Sequence, residues 1–406
     1  MLQSPLVHAV LLRFAKSISL KKPRTMNEVT RLLHDLVRLP SVNPMGRSLP
    51  AEIIYEHRVT AYVEDFFRRL GVRHERQTIA PQRDNIIGYT DLPAPRRTLL
   101  LEAHQDTVPA DNMTIDPFGA AIDQGRLYGR GACDIKGGMA AMLAVFARIV
   151  REKPAGAANL VMACSVDEEH TFLGVQRLVQ KPMAADMAVV AEPTQLQIVN
   201  AHKGVCRWYV TTSGRACHSS RPEQGINAIY RMGSLLSAIE RYAEALRLAK
   251  VDPLLGPATL SVGRIEGGTS ANTVPDCCQI EVDRRLVSGE DPLQAPRELF
   301  EYLRQFEPTP GSFSCSEPWL HCPALRPEKA GEIVARLGAA IDAVKGAHQV
   351  TAVPYGTDAS SIAEAGIPAV VFGPGDIARA HTVDEWVPLD EVEAASEILY
   401  RLTCSG

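Results

Sequence analysis

No run of about 18 consecutive apolar residues occurs in the chain, so no segment is long enough to cross a membrane as a helix, and no membrane partner is expected. Neither sign of charge dominates. The 43 basic residues are nearly matched by 47 acidic ones, for a net charge of −4, and both are spread along the chain, which argues against nucleic acid as a partner. Cysteine is odd in number, nine, and no C-x-x-C pair exists. That pattern offers neither a disulfide ladder nor a structural zinc knuckle, and fits thiols kept reduced in a cytoplasm. Internal repeats and low-complexity tracts are missing as well. Aromatic residues are sparse at 6%, yet 46% of residues are hydrophobic and 22% charged, a balance that excludes disorder, collagen and a small disulfide scaffold. What remains is a globular chain of 406 residues, enough for two or three compact units at roughly 150 residues each, with a small solute as its partner.

Acid is also absent before Glu28, in a stretch that holds Arg13, Lys16, Lys21, Lys22 and Arg24. Such a basic segment can be a targeting leader; the simpler expectation is an unstructured extension, or a working start at Met26. Residues 1–27 are therefore set apart from the fold. Beyond them, apolar positions at helical spacing predict a helix over 52–70 that stops at Gly71. Short apolar runs predict buried strands at 85–89, 98–103, 159–166, 187–191 and 368–372, with a helix over 137–153 among them. Runs of this kind separated by helices predict an α/β fold, an open and mostly parallel sheet covered on both faces. The middle of the chain reads differently: strand 205–212, helix 225–249, strands 258–265 and 279–286, helix 292–305 and a strand near Ser312. That is the split β-α-β-β-α-β order of a ferredoxin-like α+β domain, inserted at 199–320 into a larger unit formed by 28–198 and 321–406.

The chemistry lies in where the acids and imidazoles fall. His104 and Asp106 follow LLLEA, Glu168 and Glu169 follow LVMACSVD, Glu192 follows MAVVA, and His381 comes a short loop after AVVFG. Loops at the carboxyl ends of strands in an open α/β sheet converge on one crevice, so these residues are expected to share a site. Asp134 joins them from the glycine-rich loop GRGACDIKGG at 129–138. Each piece alone is weak. An H-x-D match is usually two surface residues, a Glu-Glu pair is usually a solvated helix start, and the loop lacks G-K-[ST] and places an Asp where a phosphate would be repelled. Together, two imidazoles and several carboxylates suit zinc first, with cobalt or manganese tolerated. If Asp134 bridges two ions, with His104 and Glu192 on one and Glu169 and His381 on the other, Glu168 is left free as general base for hydrolysing an amide.

The series HQDTVP (104–109), RLYGRGACDIKGG (126–138), VDEE (166–169), AEPT (191–194), HSS (218–220) and the late His381 resembles the M20 metallopeptidases, over nearly the whole chain from Glu28. The resemblance implies a fold of the zinc-dependent exopeptidase type and two zinc ions on the five ligands named above. It also implies Glu168 as base, Asp106 as the residue that orients His104, and an inserted domain that acts as lid and dimer contact. By the same resemblance, His218 reaches the partner subunit's site to stabilise the oxyanion, Arg284 and Asn272 hold a substrate carboxylate, and Gly356, Thr357 and Asp358 form a loop that positions substrate. Without it, Arg284 reads as a surface strand residue and His218 as a turn residue. The family commonly has Glu at the Glu192 position in N-acyl amino acid hydrolases and carboxypeptidases. Length and the single insertion fit its acetylornithine deacetylase and succinyl-diaminopimelate desuccinylase group, so deacetylation of N-acetylornithine is the first activity implied. Desuccinylation, glutamate carboxypeptidase and dipeptidase activities are the alternatives; a non-catalytic binding protein on this scaffold is the alternative of another class.

Overall fold

The computed structural model describes residues 26–405 apart from Ala94 and Pro308. The extension expected at 1–27 lies outside the described residues as far as residue 25. At the edge of the described chain, the Asn27 side chain accepts the Thr30 backbone N–H at 2.9 Å and caps the helix Glu28–Val37.

The larger unit is an eight-stranded mixed sheet. Its spatial order is Arg73–Ala80, Arg83–Tyr89, Asn159–Ser165, Thr98–His104, Met187–Val190, Ala369–Val371, Ile198–His202 and Val350–Val353. The four central strands, from Asn159–Ser165 to Ala369–Val371, run parallel, and the first two strands are antiparallel. The last two are parallel to each other but opposed to their neighbour.

Side-chain alternation explains why both faces are dry. Leu99 and Leu101 point into the core beneath the helices Glu28–Val37, His57–Leu70, Gly137–Glu152, Gly331–Lys345 and Leu389–Cys404. Leu100 points the other way, towards the short helices Leu173–Leu178 and Ala359–Glu364. Each such leucine, fully buried, contributes roughly 1.5–3 kcal/mol. No helix among the described residues is long and apolar enough to cross a membrane.

The smaller unit has its own antiparallel sheet, in the order Thr259–Gly267, Cys277–Leu286, Gly204–Ser213 and Phe313–Cys315, with Leu320–Cys322 also paired to Gly204–Ser213. Helices Ala228–Ala249 and Ala295–Leu303 cover one face around Trp208, Ile280, Val282, Leu235 and Leu299. This is the β-α-β-β-α-β succession that the sequence predicts. The chain crosses between the sheets at Lys203 and returns near Leu325, whose backbone bridges His202.

Several local expectations differ from the structure. The helix expected over 52–70 begins at His57, because Ile54 bridges to Val42 and the Glu56 carboxylate is buried against Arg83. The strand Arg73–Ala80 has no apolar run: it is an edge strand with no fully buried residue, held by its pairing with Arg83–Tyr89.

Candidate metal centre

His104 is the last residue of a central strand, and the loops after the next strands carry the acids to the same crevice. The His104 ring places Nδ1 3.0 Å from the Asp106 carbonyl oxygen. A proton on Nδ1 donated to that carbonyl leaves Nε2 with its lone pair facing the crevice, the tautomer a metal ligand needs. The Asp106 carboxylate stands further off, with Oδ1 3.6 Å from Nδ1. It accepts the backbone N–H of Glu168 and of Glu169 at 3.2 Å each, and the Asn43 amide at 2.8 Å. The orienting contact to His104 therefore runs through the Asp106 backbone, while the carboxylate fixes the Glu168-Glu169 turn.

That turn is braced from behind. Asn43 also donates to Asp167 Oδ1 at 2.8 Å, the Arg83 guanidinium reaches the same oxygen at 2.7 Å, and Arg83 grips Glu56 with Nε 2.9 Å from Oε2. Asp167 sits at φ 66, a left-handed conformation that aims Glu168 and Glu169 into the crevice.

Asp134 occupies the middle. Its Oδ1 lies 3.3 Å from His104 Nε2 and its Oδ2 lies 3.3 Å from His381 Nε2. The same His381 nitrogen is 3.3 Å from Glu169 Oε2. Two groups result: His104, Asp134 and Glu169 in one, and His104, Glu168 and Glu192 in the other, with the ligand atoms of each group within 4.8 Å of one another. His104 Nε2 and Glu169 Oε1 are buried without a hydrogen-bond partner, which for atoms of this polarity is costly unless a cation meets them. The donor set, imidazole nitrogen and carboxylate oxygen, fits a pair of zinc ions.

Electrostatics point the same way. Burial, reinforced by the neighbouring acids, pushes the Glu168 and Glu192 carboxyls well above their ordinary range, and burial also raises Glu169. Burial alone would lower the two imidazoles. Instead Asp106 and Asp134 lift His104 well above its usual value, and Asp134 and Glu169 push His381 up to about 11. Asp134, which burial would raise, is held below the usual carboxylate range by the two histidines. So many acids facing one another call for added positive charge.

The remaining sequence candidates divide. Thr357 Oγ1 meets His202 Nε2 at 3.0 Å at the crossing between the sheets. Asp358, beside it, accepts the Ser165 hydroxyl at 2.9 Å, and Ser165 Oγ is also 2.6 Å from Glu102 Oε1 directly beneath the crevice. Gly356 lies against the Lys203 carbonyl and Cys322, where a side chain would press on the Cys322 sulfur. His218 and Asn272 are brought to each other: His218 pairs with Thr273, and the Ser219 N–H donates to the Asn272 carbonyl at 3.0 Å. Both are exposed, and His218 Nδ1 contacts the Ser220 hydroxyl at 2.8 Å. Among the described residues, neither makes a hydrogen bond or ion pair with the metal-ligand set.

Arg284 is placed differently from the sequence expectation. It is 1% exposed and paired to Glu290 Oε1 at 2.6 Å inside the small unit. Strand alternation is the reason, since Cys278, Ile280, Val282 and Arg284 all face the covering helices. Arg285 takes the open face instead, with Nε 2.8 Å from Asp283 Oδ1.

Spacing gave no sign of Glu385, Arg130 or Asn43. Their partners are backbone amides and distant side chains, which leave no pattern along the chain.

Residues 100–405 match the family model described as peptidase family M20/M25/M40. Among curated proteins, the chain is 33% identical over 325 residues to an acetylornithine deacetylase of Myxococcus xanthus, covering 77% of this chain and 81% of the relative. It is 30% identical over 393 residues to an acetylornithine deacetylase of Yersinia pseudotuberculosis, covering 91% and 95%. Among solved structures, an M20 family metallo-carboxypeptidase from Sulfolobus solfataricus superposes with a TM-score of 0.75 at 19% identity, covering 93% of this chain and 99% of that one. A tripeptidase from Staphylococcus aureus gives 0.72 at 22% identity, covering 93% and 97%.

Proposed function

The chain belongs to peptidase family M20/M25/M40, and from that premise we propose that it hydrolyses the amide bond of a small N-acyl amino acid, with N-acetylornithine as first substrate and ornithine and acetate as products. The observation that carries this reading is Asp134 standing between His104 and His381, with Glu168 close to His104 and Glu192. Two zinc ions on His104, Asp134, Glu169, Glu192 and His381, with cobalt or manganese as substitutes, would polarise the amide carbonyl and lower the pKa of a water.

Glu168 takes the proton of the attacking water and returns it to the leaving amine. The C–N bond breaks, the hydroxyl goes to the acyl carbon and the proton to nitrogen. Carboxylate proton transfer of this kind is worth about 100- to 10,000-fold in rate. Asp106 holds the Glu168 backbone while this happens.

The choice of substrate rests on the acetylornithine deacetylases among the relatives and on Glu, not Asp, at position 192. A homodimer through the small unit would bring His218 of one chain to the crevice of the other, with Asn272 beside it. Arg285, on the open face of the sheet, then replaces Arg284 as the candidate for gripping a carboxylate in a bidentate manner. Nine free thiols agree with a cytoplasmic setting.

The test is zinc-loaded protein incubated with N-acetylornithine, N-succinyl-diaminopimelate, other N-acyl amino acids, folate-type glutamates and simple dipeptides, with released amine as the readout. Release from N-acetylornithine fastest of all supports the proposal. Preference for a dipeptide moves the chain to the peptidases of the family, and silence with two metals bound makes it a binding protein.

A further inference from the structure

We propose that Glu385 is the positioning residue that holds Asp134 in its pose between the two histidines; the inference rests on reading Asp134 as the ligand shared by two cations. Asp134 lies in the turn Ala132–Lys136, and its own backbone is not helical, at φ −119 and ψ 93. The turn's internal hydrogen bonds run from Lys136 N–H to the Gly131 carbonyl and from Gly137 N–H to the Ala132 carbonyl, and do not engage the amides of Cys133 and Asp134. Buried amides of that kind need an acceptor from elsewhere.

Glu385 supplies it. Its Oε1 accepts the Cys133 N–H at 3.0 Å and the Asp134 N–H at 3.1 Å. Its other oxygen, Oε2, accepts from Arg130 Nη1 at 2.6 Å, and both members of this ion pair are sealed from solvent, Arg130 at 1% and Glu385 at 0% exposure. The Glu385 backbone carbonyl accepts the Gly129 N–H at 3.0 Å, and the next residues, Trp386–Pro388, pair antiparallel with Arg126–Tyr128. His381 lies four residues before Glu385. One side chain thus ties the turn that carries Asp134 to the segment that carries His381, and both must hold still for Asp134 Oδ2 and His381 Nε2 to face each other.

The carboxylate is the required group because it accepts at both ends. A glutamine must turn its NH2 either towards Arg130 or towards the two amides, where it meets donors and makes no bond. The fit between Asp134 and His381 should then loosen, and the cation held by His381 and Glu169 should suffer more than the one held by His104 and Glu192. Outer-sphere partners of this type typically change metal affinity about 10- to 100-fold.

The experiment is zinc titration against a competing chelator in the parent protein, Glu385→Gln, and the neutral pair Arg130→Gln with Glu385→Gln, each checked for fold by circular dichroism of the metal-free form. The expected result is two tightly held equivalents in the parent, about 10- to 100-fold weaker binding of one equivalent in Glu385→Gln, and partial recovery in the neutral pair, where the new side-chain oxygen at position 130 can accept from the NH2 at position 385 while the oxygen at 385 accepts the two amides. Excess zinc should restore kcat while KM stays unchanged. Two equivalents at parental affinity in folded Glu385→Gln would overturn the assignment of Glu385 alone, whereas fewer than two in the parent would overturn the shared-ligand reading and this inference with it. Should the variants not fold, hydrogen exchange on the metal-free parent decides. Protection of the Cys133 and Asp134 amides comparable to the central strands is expected, and rapid exchange there would overturn the proposal.

Discussion

The Asp106 carboxylate accepts the backbone N–H of Glu168 at 3.2 Å. A residue two positions from one proposed ligand thereby fixes the peptide that carries the proposed base. Asp106→Asn can accept only one of the two amides of the Glu168-Glu169 turn and turns donors towards the other. We expect a loss of about 10- to 100-fold in kcat/KM together with weaker zinc retention. Steady-state kinetics with metal analysis checks it; an unchanged kcat/KM would contradict the positioning role.

Glu168→Ala separates proton transfer from metal binding. The variant should keep both zinc ions by elemental analysis and lose at least about 100- to 10,000-fold in turnover. Wild-type turnover would remove Glu168 from the reaction.

His104→Ala should act on occupancy instead. Because His104 holds one of the two ions together with Glu192, its loss is expected to lower zinc content below two per chain at stoichiometric metal, measured by elemental analysis of the dialysed protein.

His202 offers a pH signature outside the proposed ligand set. Its ring is fully buried, with Nε2 on Thr357, and burial pushes its pKa from 6.5 down to about 4. The unfolded chain therefore takes up a proton near pH 6.5 that the folded chain refuses until about pH 4. The contribution of His202 to stability should fall as pH drops through that window, by an amount on the order of 3 kcal/mol, and no further below it. In His202→Gln, the metal-free protein should lose this slope in thermal unfolding between pH 4 and 6.5; an unchanged slope would contradict the assignment.

If His218 serves the neighbouring subunit, mixing the inactive Glu168→Ala and His218→Ala proteins should return part of the activity through hybrid dimers. Absence of rescue, with subunit exchange verified by mass, would contradict action of His218 in the neighbouring subunit.

The central strands were legible because Leu99 to Leu101 and Met187 to Val190 are apolar runs with no alternative to burial. The candidate ligands His104, Glu169 and Glu192 were legible because they closely follow apolar strands, whereas Asp134 and His381 stand in loops. The edge strand Arg73–Ala80 was not, since its polar side chains carry no periodic signal and only pairing holds it. The burial of Arg284 was not legible for a related reason: adjacent arginines on one strand face opposite sides, and the sequence pattern does not say which side is covered. Glu385 escaped notice because its work is done on backbone amides from a distant turn.

The most direct test is a crystal of the zinc-loaded protein with anomalous scattering measured at the zinc edge. Two peaks about 3.5–4 Å apart are expected, with Asp134 between them, His104 and Glu192 on one and Glu169 and His381 on the other. A single peak, or zinc bound away from these side chains, would contradict the paired-cation centre.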